Sequence, residues 1–156
     1  VRDYVKSKGY PIIFIEERDE KGTAGALNLV KKDLNSTFFL LYGDVVANVD
    51  LIDMYRFHTK EGVMLTVALA TSKEPSKYGV PKMKGNRITS FVEKPSEEIS
   101  LLVSAGIFVV EPEVLELIPE KRTSLERDIF PKLASINELA GYVFTGFWKD
   151  LGGGDA

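Results

Sequence analysis

Residues 37 to 50 read TFFLLYGDVVANVD, and the fold turns on them. Five apolar or aromatic side chains run from Phe38 to Tyr42. A run that apolar predicts a strand covered on both faces. It stops abruptly on Gly43 and Asp44. In open α/β sheets, ligands bind beyond the carboxyl ends of strands. A carboxylate at such an end is costly unless it is solvated, paired or metal-bound. Asp50 is placed to cap the helix that follows, so Asp44 is left for a metal or a substrate.

Outward from this stretch, short apolar runs alternate with amphipathic segments, which predicts an α/β domain. Toward the N-terminus, Ile12 to Ile15 reads as a strand. Thr23 to Leu34 reads as a helix, with Thr23 as N-cap and Ala26, Leu27, Val30 and Leu34 on one face. Toward the C-terminus, Leu51 to Glu61 reads as a helix closed by Gly62, and Met64 to Ala70 as a strand. Strands and helices alternating in this way predict parallel strands joined by right-handed crossovers. Then the pattern changes. Val80 to Met83 and Arg87 to Glu93, joined at Lys84-Gly85-Asn86, read as an antiparallel hairpin that ends at Lys94-Pro95. Leu101 to Val110 reads as a long strand interrupted by Gly106. Glu113 to Ile118 reads as a short helix, and Ser124 to Ala134 as a helix broken or restarted at Pro131. Gly141 to Trp148 reads as a last β segment. The sheet is expected to be mixed, parallel first and antiparallel later.

The chain has 156 residues, 44% hydrophobic and 28% charged, which suits one domain with a sizeable core. With no cysteine, disulfides, thiolate metal sites and a Cys nucleophile are excluded. The net charge is −3, and no Lys/Arg stripe speaks for nucleic acid or a membrane surface. No apolar run approaches the ~20 residues of a membrane-spanning helix. A reducing, cytoplasmic setting is the expectation. His58, the single histidine, falls on the Leu51, Met54, Tyr55 stripe and is expected to pack rather than catalyse.

Three further segments carry candidate chemistry. Asp150, in GFWKDLGGG, follows a β segment as Asp44 does. Two carboxylates at one edge of a sheet suit Mg²⁺, which keeps one or two protein carboxylates and completes its shell with water and phosphates. In EKGTAGAL, residues 20 to 27, Gly22 and Gly25 flank Thr23 at a helix start. N–H groups and the helix dipole there favour an anion, and small residues allow a base or phosphate close to the backbone, although on this motif alone an ordinary capped helix with close packing is the stronger reading. In SFVEKP, Glu93 and Lys94 leave a strand end together. Lys is a compact cation for phosphate, and Glu accepts hydroxyl hydrogens from a sugar.

The order of Gly-Thr-Ala-Gly-Ala-Leu, Tyr-Gly-Asp, Lys-Tyr-Gly-Val, Phe-Val-Glu-Lys-Pro, Ser-Ala-Gly-Ile-Phe and Phe-Trp-Lys-Asp-Leu-Gly resembles the sugar-1-phosphate nucleotidyltransferases, or NDP-sugar pyrophosphorylases. The likeness runs from Ile12 to Gly152. It implies a Rossmann-like three-layer α/β fold with a mixed, mainly parallel sheet, here lacking its N-terminal strand. It implies an enzyme that joins an NTP and a sugar 1-phosphate into an NDP-sugar and pyrophosphate. By that resemblance Asp44 and Asp150 hold Mg²⁺ and, with Lys94, form the catalytic set. Gly22, Thr23, Glu17 and Gly43 lie at the nucleotide. Gly79, Glu93, Lys94, Ser104 and Gly106 lie at the sugar phosphate, with Lys94 on the phosphate itself.

The sequence departs from the pattern in three places. The family's Gly-rich N-terminal loop, with its Gly-Thr-Arg and a following Lys, has no counterpart here. The chain is therefore expected to be a single domain of residues 1–156 cut from a longer protein, poorly active alone and prone to self-associate. Ser104 stands where relatives often carry Asn, and Gly153-Gly154 where Thr-Pro is usual. Glu17, facing the base, tilts the expectation toward guanine. The alternatives are a non-catalytic sugar-nucleotide-binding homologue or fragment that needs another segment, and a glycosyltransferase. The latter usually holds metal with Asp-x-Asp, whereas Asp44 is followed by Val45 and Val46.

Overall fold

The computed structural model describes residues 1–97 and 99–152. A short helix α1 (Arg2–Ser7) is followed by α2 (Gly22–Gly25), a single turn that runs on as a 3₁₀ turn at Ala26–Leu29. Then come strands β1 (Phe38–Leu41) and β2 (Val45–Ala47), helix α3 (Leu51–Glu61) and strand β3 (Leu65–Thr71). The hairpin β4 (Gly79–Lys84) and β5 (Arg87–Glu93) precedes β6 (Leu102–Val110). After a 3₁₀ turn at Pro112–Leu117, a π-helical turn at Leu125–Ile129 leads into α4 (Phe130–Ser135). The last strands are β7 (Leu139–Val143) and β8 (Trp148–Asp150).

Six strands form one sheet in the order β1-β6-β3-β7-β5-β4, and β2 pairs with β8 in a separate ribbon. The sheet is mixed, but it is not mainly parallel: among the described residues only β3 and β7 pair in parallel. The crossover through α3 does leave β1 and β3 pointing the same way. However, β6 inserts between them and pairs antiparallel with both. Chain order therefore predicts strand direction correctly and strand neighbours wrongly.

The sheet is the middle of three layers. On one face Leu65, Val67 and Leu69 of β3 pack with Phe108, Phe130, Leu133 and Leu125. On the other face Ala68 and Ala70 lie with Met54, Ala105, Ile107 and Val109, and the β2–β8 ribbon covers them through Val45, Ala47 and Trp148. Alternating β3 side chains thus serve both layers. Helix α3 behaves as read. Asp50 accepts from the Asp53 N–H at 2.9 Å, and Gly62 closes the helix in the left-handed region at φ 59. His58 is 2% exposed, between Thr66 Oγ1 (2.8 Å from Nδ1) and Glu111 Oε1 (2.9 Å from Nε2), a packing residue with both ring nitrogens engaged.

Four expectations are corrected. Ile12 to Ile15 forms no strand, and Ile13 is 86% exposed. A short apolar run becomes a strand only when a ladder accepts it, and nothing among the described residues pairs with it. The strand of the opening stretch is not covered on both faces: β1 is an edge strand, with Leu41 53% exposed. The Gly141 to Trp148 segment is two strands in two sheets. The predicted helix from Thr23 to Leu34 is also shorter, and Lys21 rather than Thr23 is its N-cap.

Candidate functional site

The β2–β8 ribbon decides where the two aspartates lie. Its register sets Val45 opposite Asp150, so Asp44, one residue earlier, is brought beside the end of β8. The chain then folds back over Asp44. Leu151 N–H donates to the Asp44 carbonyl at 2.7 Å, and Gly152 N–H donates to Asp150 Oδ1 at 2.8 Å. A Cβ built on Gly152 would lie 2.4 Å from Asp44 Oδ2 and 3.3 Å from Asp150 Oδ1. Both carboxylates therefore converge on one glycine, and any larger residue there would displace Asp44. Gly153 and Gly154, which stand where Thr-Pro was expected, lie outside the described residues.

A bulge aims the rest of the rim. Between Val67 and Leu69 the β3–β6 register shifts, so the Ala105-Gly106-Ile107 segment stands against Ala68. Gly106, at φ 71, presents its carbonyl to the Tyr42 N–H (2.9 Å), and Ala105 O accepts from Trp148 Nε1 (3.1 Å). A Cβ on Gly106 would meet Val45 and Tyr42 side chains at 3.0 and 3.1 Å. The bulge thus ties β1 and the ribbon to the central strand where β1 ends.

One cleft at this rim is lined by Asp44, Asp150, Gly79, Glu93, Lys94, Ser104 and Gly106, with Tyr42, Lys77, Tyr78, Glu126 and Trp148 among its other walls. Residues far apart in the sequence, from β4, β5, β6 and β8 and from the segments between strands, meet there. Trp148 and Tyr78 pack edge-to-face at 5.0 Å and form one wall. Burial, and then the charge of Asp150, push the Tyr78 phenol up from its ordinary value. Burial, and then the negative charge of Glu126, push the Glu93 carboxyl up, while Lys94 and Arg127 pull it back. Lys94 holds a left-handed backbone at φ 51, rare for a residue with a side chain, while its N–H donates to Tyr78 O at 3.0 Å. Such strain persists where the surroundings over-determine it, and it concentrates at functional sites.

The residues expected at the nucleotide bond chiefly to the protein itself, as close packing of a helix start would have them. The Ala24 and Gly25 N–H groups both donate to Thr123 O, at 3.0 and 3.2 Å, so they are spent on the protein. A Cβ on Gly22 would lie 2.6 Å from that same carbonyl, and one on Gly25 would lie 2.8 Å from Lys21 Cβ. Close packing against residues 121–123 and Lys21, with a left-handed φ of 79 at Gly22, is what demands glycine here. Glu17 Oε1 accepts from the Lys21 N–H at 2.8 Å and braces the same turn. Thr23 reaches the cleft through Glu126: its hydroxyl donates to Glu126 Oε2 at 3.0 Å. Gly43 has open space where a Cβ would be.

The nucleotidyl transferase family model matches residues 3–156. The chain belongs to that family. This nucleotidyl transferase chain is 37% identical to a probable mannose-1-phosphate guanylyltransferase 3 of Arabidopsis thaliana, over 97% of its own length and 48% of the relative's. It is 39% identical to a mannose-1-phosphate guanylyltransferase catalytic subunit beta of Drosophila pseudoobscura pseudoobscura, over 92% and 40%. It spans about half the length of such relatives, or less. Among solved structures, a putative glucose-1-phosphate thymidylyltransferase from Bacillus anthracis superposes with a TM-score of 0.80 at 23% identity, covering 96% of this chain and 65% of that one. HddC from Yersinia pseudotuberculosis, complexed with GMP-PN, superposes with a TM-score of 0.78 at 22% identity, covering 97% and 67%. Those structures establish the shared fold.

Glu126 and Tyr42 went unread in the sequence. Glu126 sits in the charged run EKRTSLERD, which looks like solvated surface. Its inward turn comes from the π-helical turn capped by Ser124, which accepts from the Arg127 N–H at 3.2 Å. Tyr42 looked like the last apolar residue of a strand. No spacing in either segment signals a role.

The donor set fits a divalent cation held in part by substrate. Asp44 Oδ2 and Asp150 Oδ1 both lie close to Gly152, and among the described residues no group of three or more acidic or histidine side chains forms a protein-only cage. Mg²⁺ is bound in that way, by one or two carboxylates, with substrate phosphates and water supplying the remaining ligands.

Proposed function

We propose that this chain forms the catalytic centre of a sugar-1-phosphate nucleotidyltransferase, joining an NTP to a sugar 1-phosphate with release of pyrophosphate. The observation that carries it is the meeting of Asp44 and Asp150 at a rim that also holds Lys94, Glu93 and Gly79. The mannose-1-phosphate guanylyltransferase relatives support GTP and mannose 1-phosphate as the pair.

Asp44 and Asp150 are the residues to hold Mg²⁺, which, when bound, neutralises phosphate charge during the in-line displacement. Lys94 pairs with the sugar phosphate as a point charge. Glu93 accepts from sugar hydroxyls in its ionised form, and Gly79, alongside it in the β4–β5 pairing, leaves room for the ring. Ser104 and Gly106 border the sugar, and Trp148 with Tyr78 excludes water from it. The turn at Gly22 and Thr23, braced by Glu17, sits at the nucleotide base, with Gly43 at its open edge. Reactions of this class depend chiefly on positioning and charge neutralisation.

Pyrophosphate release, measured across NTPs and sugar 1-phosphates with Mg²⁺, tests the reading. GTP with mannose 1-phosphate is expected to give the fastest release. Asp44→Asn is expected to lower turnover by at least ~100-fold. An Asp44→Asn protein that turns over like wild type contradicts the assignment.

A further inference from the structure

Glu126 accepts three side-chain hydrogen bonds at the cleft, yet the scheme above gives it no task. Oε1 accepts from the Tyr42 hydroxyl in a very short hydrogen bond. Oε2 accepts from Thr23 Oγ1 at 3.0 Å and from Ser124 Oγ at 3.1 Å. Thr23 Oγ1 in turn accepts from the Leu125 N–H at 2.8 Å, so a closed hydrogen-bonded ring joins residues 23, 125 and 126. Tyr42 is the second residue before Asp44, and Thr23 belongs to the turn assigned to the nucleotide. Among the described residues no backbone ladder connects that turn to β1: α2 is held by the 121–123 segment, and β1 pairs with β6. The carboxylate of Glu126 bridges the two, alongside a direct side-chain contact of Thr23 with Tyr42.

We propose that Glu126 is a positioning residue of this site, fixing the separation between the nucleotide-side turn at Thr23 and the end of β1 at Tyr42, and hence the place of Asp44. The inference rests on the nucleotidyltransferase reading. A carboxylate bridging two hydroxyl donors suits the task, because charge-assisted hydrogen bonds are shorter and about twice as strong as neutral ones. With its oxygens engaged by Thr23, Tyr42 and Ser124, Glu126 holds the frame rather than the substrate.

The test compares wild type, Glu126→Gln and Tyr42→Phe. Calorimetry and Trp148 fluorescence follow GDP-mannose with Mg²⁺, and circular dichroism confirms folding. Glu126→Gln is expected to weaken GDP-mannose binding by about ten-fold or more, the scale of a lost charge-assisted hydrogen bond. A second readout separates positioning at this site from a general structural role. The acid limb of mannose 1-phosphate binding follows Glu93, which faces Glu126, Tyr42, Lys94 and Arg127. Removing the Glu126 charge is expected to move that limb to lower pH. Tyr42→Phe keeps the charge, so it is expected to weaken GDP-mannose binding and leave the limb in place. If wild type binds while both variants bind equally well with an unmoved limb, the role of Glu126 is overturned and the nucleotidyltransferase reading stands. If wild type binds neither GDP-mannose nor mannose 1-phosphate, that reading fails and takes this role with it.

Discussion

At the scale of single residues, most of the charged side chains that line the cleft were legible and their supports were not. Asp44, Asp150, Glu93 and Lys94 announce themselves by being charged where a strand ends. Glu126 does not, because a carboxylate in a charged run is indistinguishable from solvated surface until the fold turns it inward. The strain at Lys94 leads to a prediction. A left-handed backbone costs an L-residue about 1–2 kcal/mol, while a glycine loses about 0.5–1 kcal/mol through its freer unfolded chain. Lys94→Gly should therefore melt no lower than wild type while losing turnover, and a scan of Tm beside an activity assay reads both. A large fall in Tm contradicts the view that the side chain is kept for function. Glu93 yields a pH prediction. Its folded pKa is raised above the ordinary value of 4.5, by burial first and Glu126 second. Its contribution to stability is present below that ordinary value and fades as pH rises through the raised one. Sugar-phosphate binding, which uses the ionised form, moves oppositely and should fall on acidification through the same window. Glu93→Gln should flatten that limb, and calorimetry across mildly acidic pH measures it.

At the scale of elements, periodicity recovered what local interactions determine. Helix α3 with its Asp50 and Gly62 caps and the β4–β5 hairpin lie close to their expected places. What failed depends on partners. Ile12 to Ile15 has strand composition without a ladder, and the Thr23 to Leu34 periodicity is overridden by backbone bonds to Thr123. Whether an apolar run pairs, and with which neighbour, is decided by residues far away in sequence. Gly79 shows the same dependence. A Cβ there would stand 2.4 Å from the Phe91 ring and 2.8 Å from Glu93 Oε2. Phe91 packs edge-to-face on Phe130 at 4.9 Å, so it has little room to retreat. Gly79→Ala is expected to cost about 1–3 kcal/mol, as overpacking does, and to displace Glu93. Urea unfolding checks the first effect. Unchanged stability would mean that Phe91 yields freely.

At the scale of the whole molecule, the alternation of elements was sufficient for the class of fold. It was not sufficient for the sheet order, because the insertion of β6 between β1 and β3 leaves no mark in either strand. The convergence of Asp44 and Asp150 is likewise a property of the assembled molecule. It arises when a three-residue strand on each side pairs into a ribbon outside the main sheet. The account's central claim is that these two carboxylates share one divalent cation with the phosphates of a bound nucleotide sugar. Titration of Mn²⁺ in the presence of GDP-mannose, followed by electron paramagnetic resonance, tests it most directly. The account predicts one tightly bound Mn²⁺ per chain, lost in Asp44→Asn and equally in Asp150→Asn. Retention of that ion in either variant would contradict it.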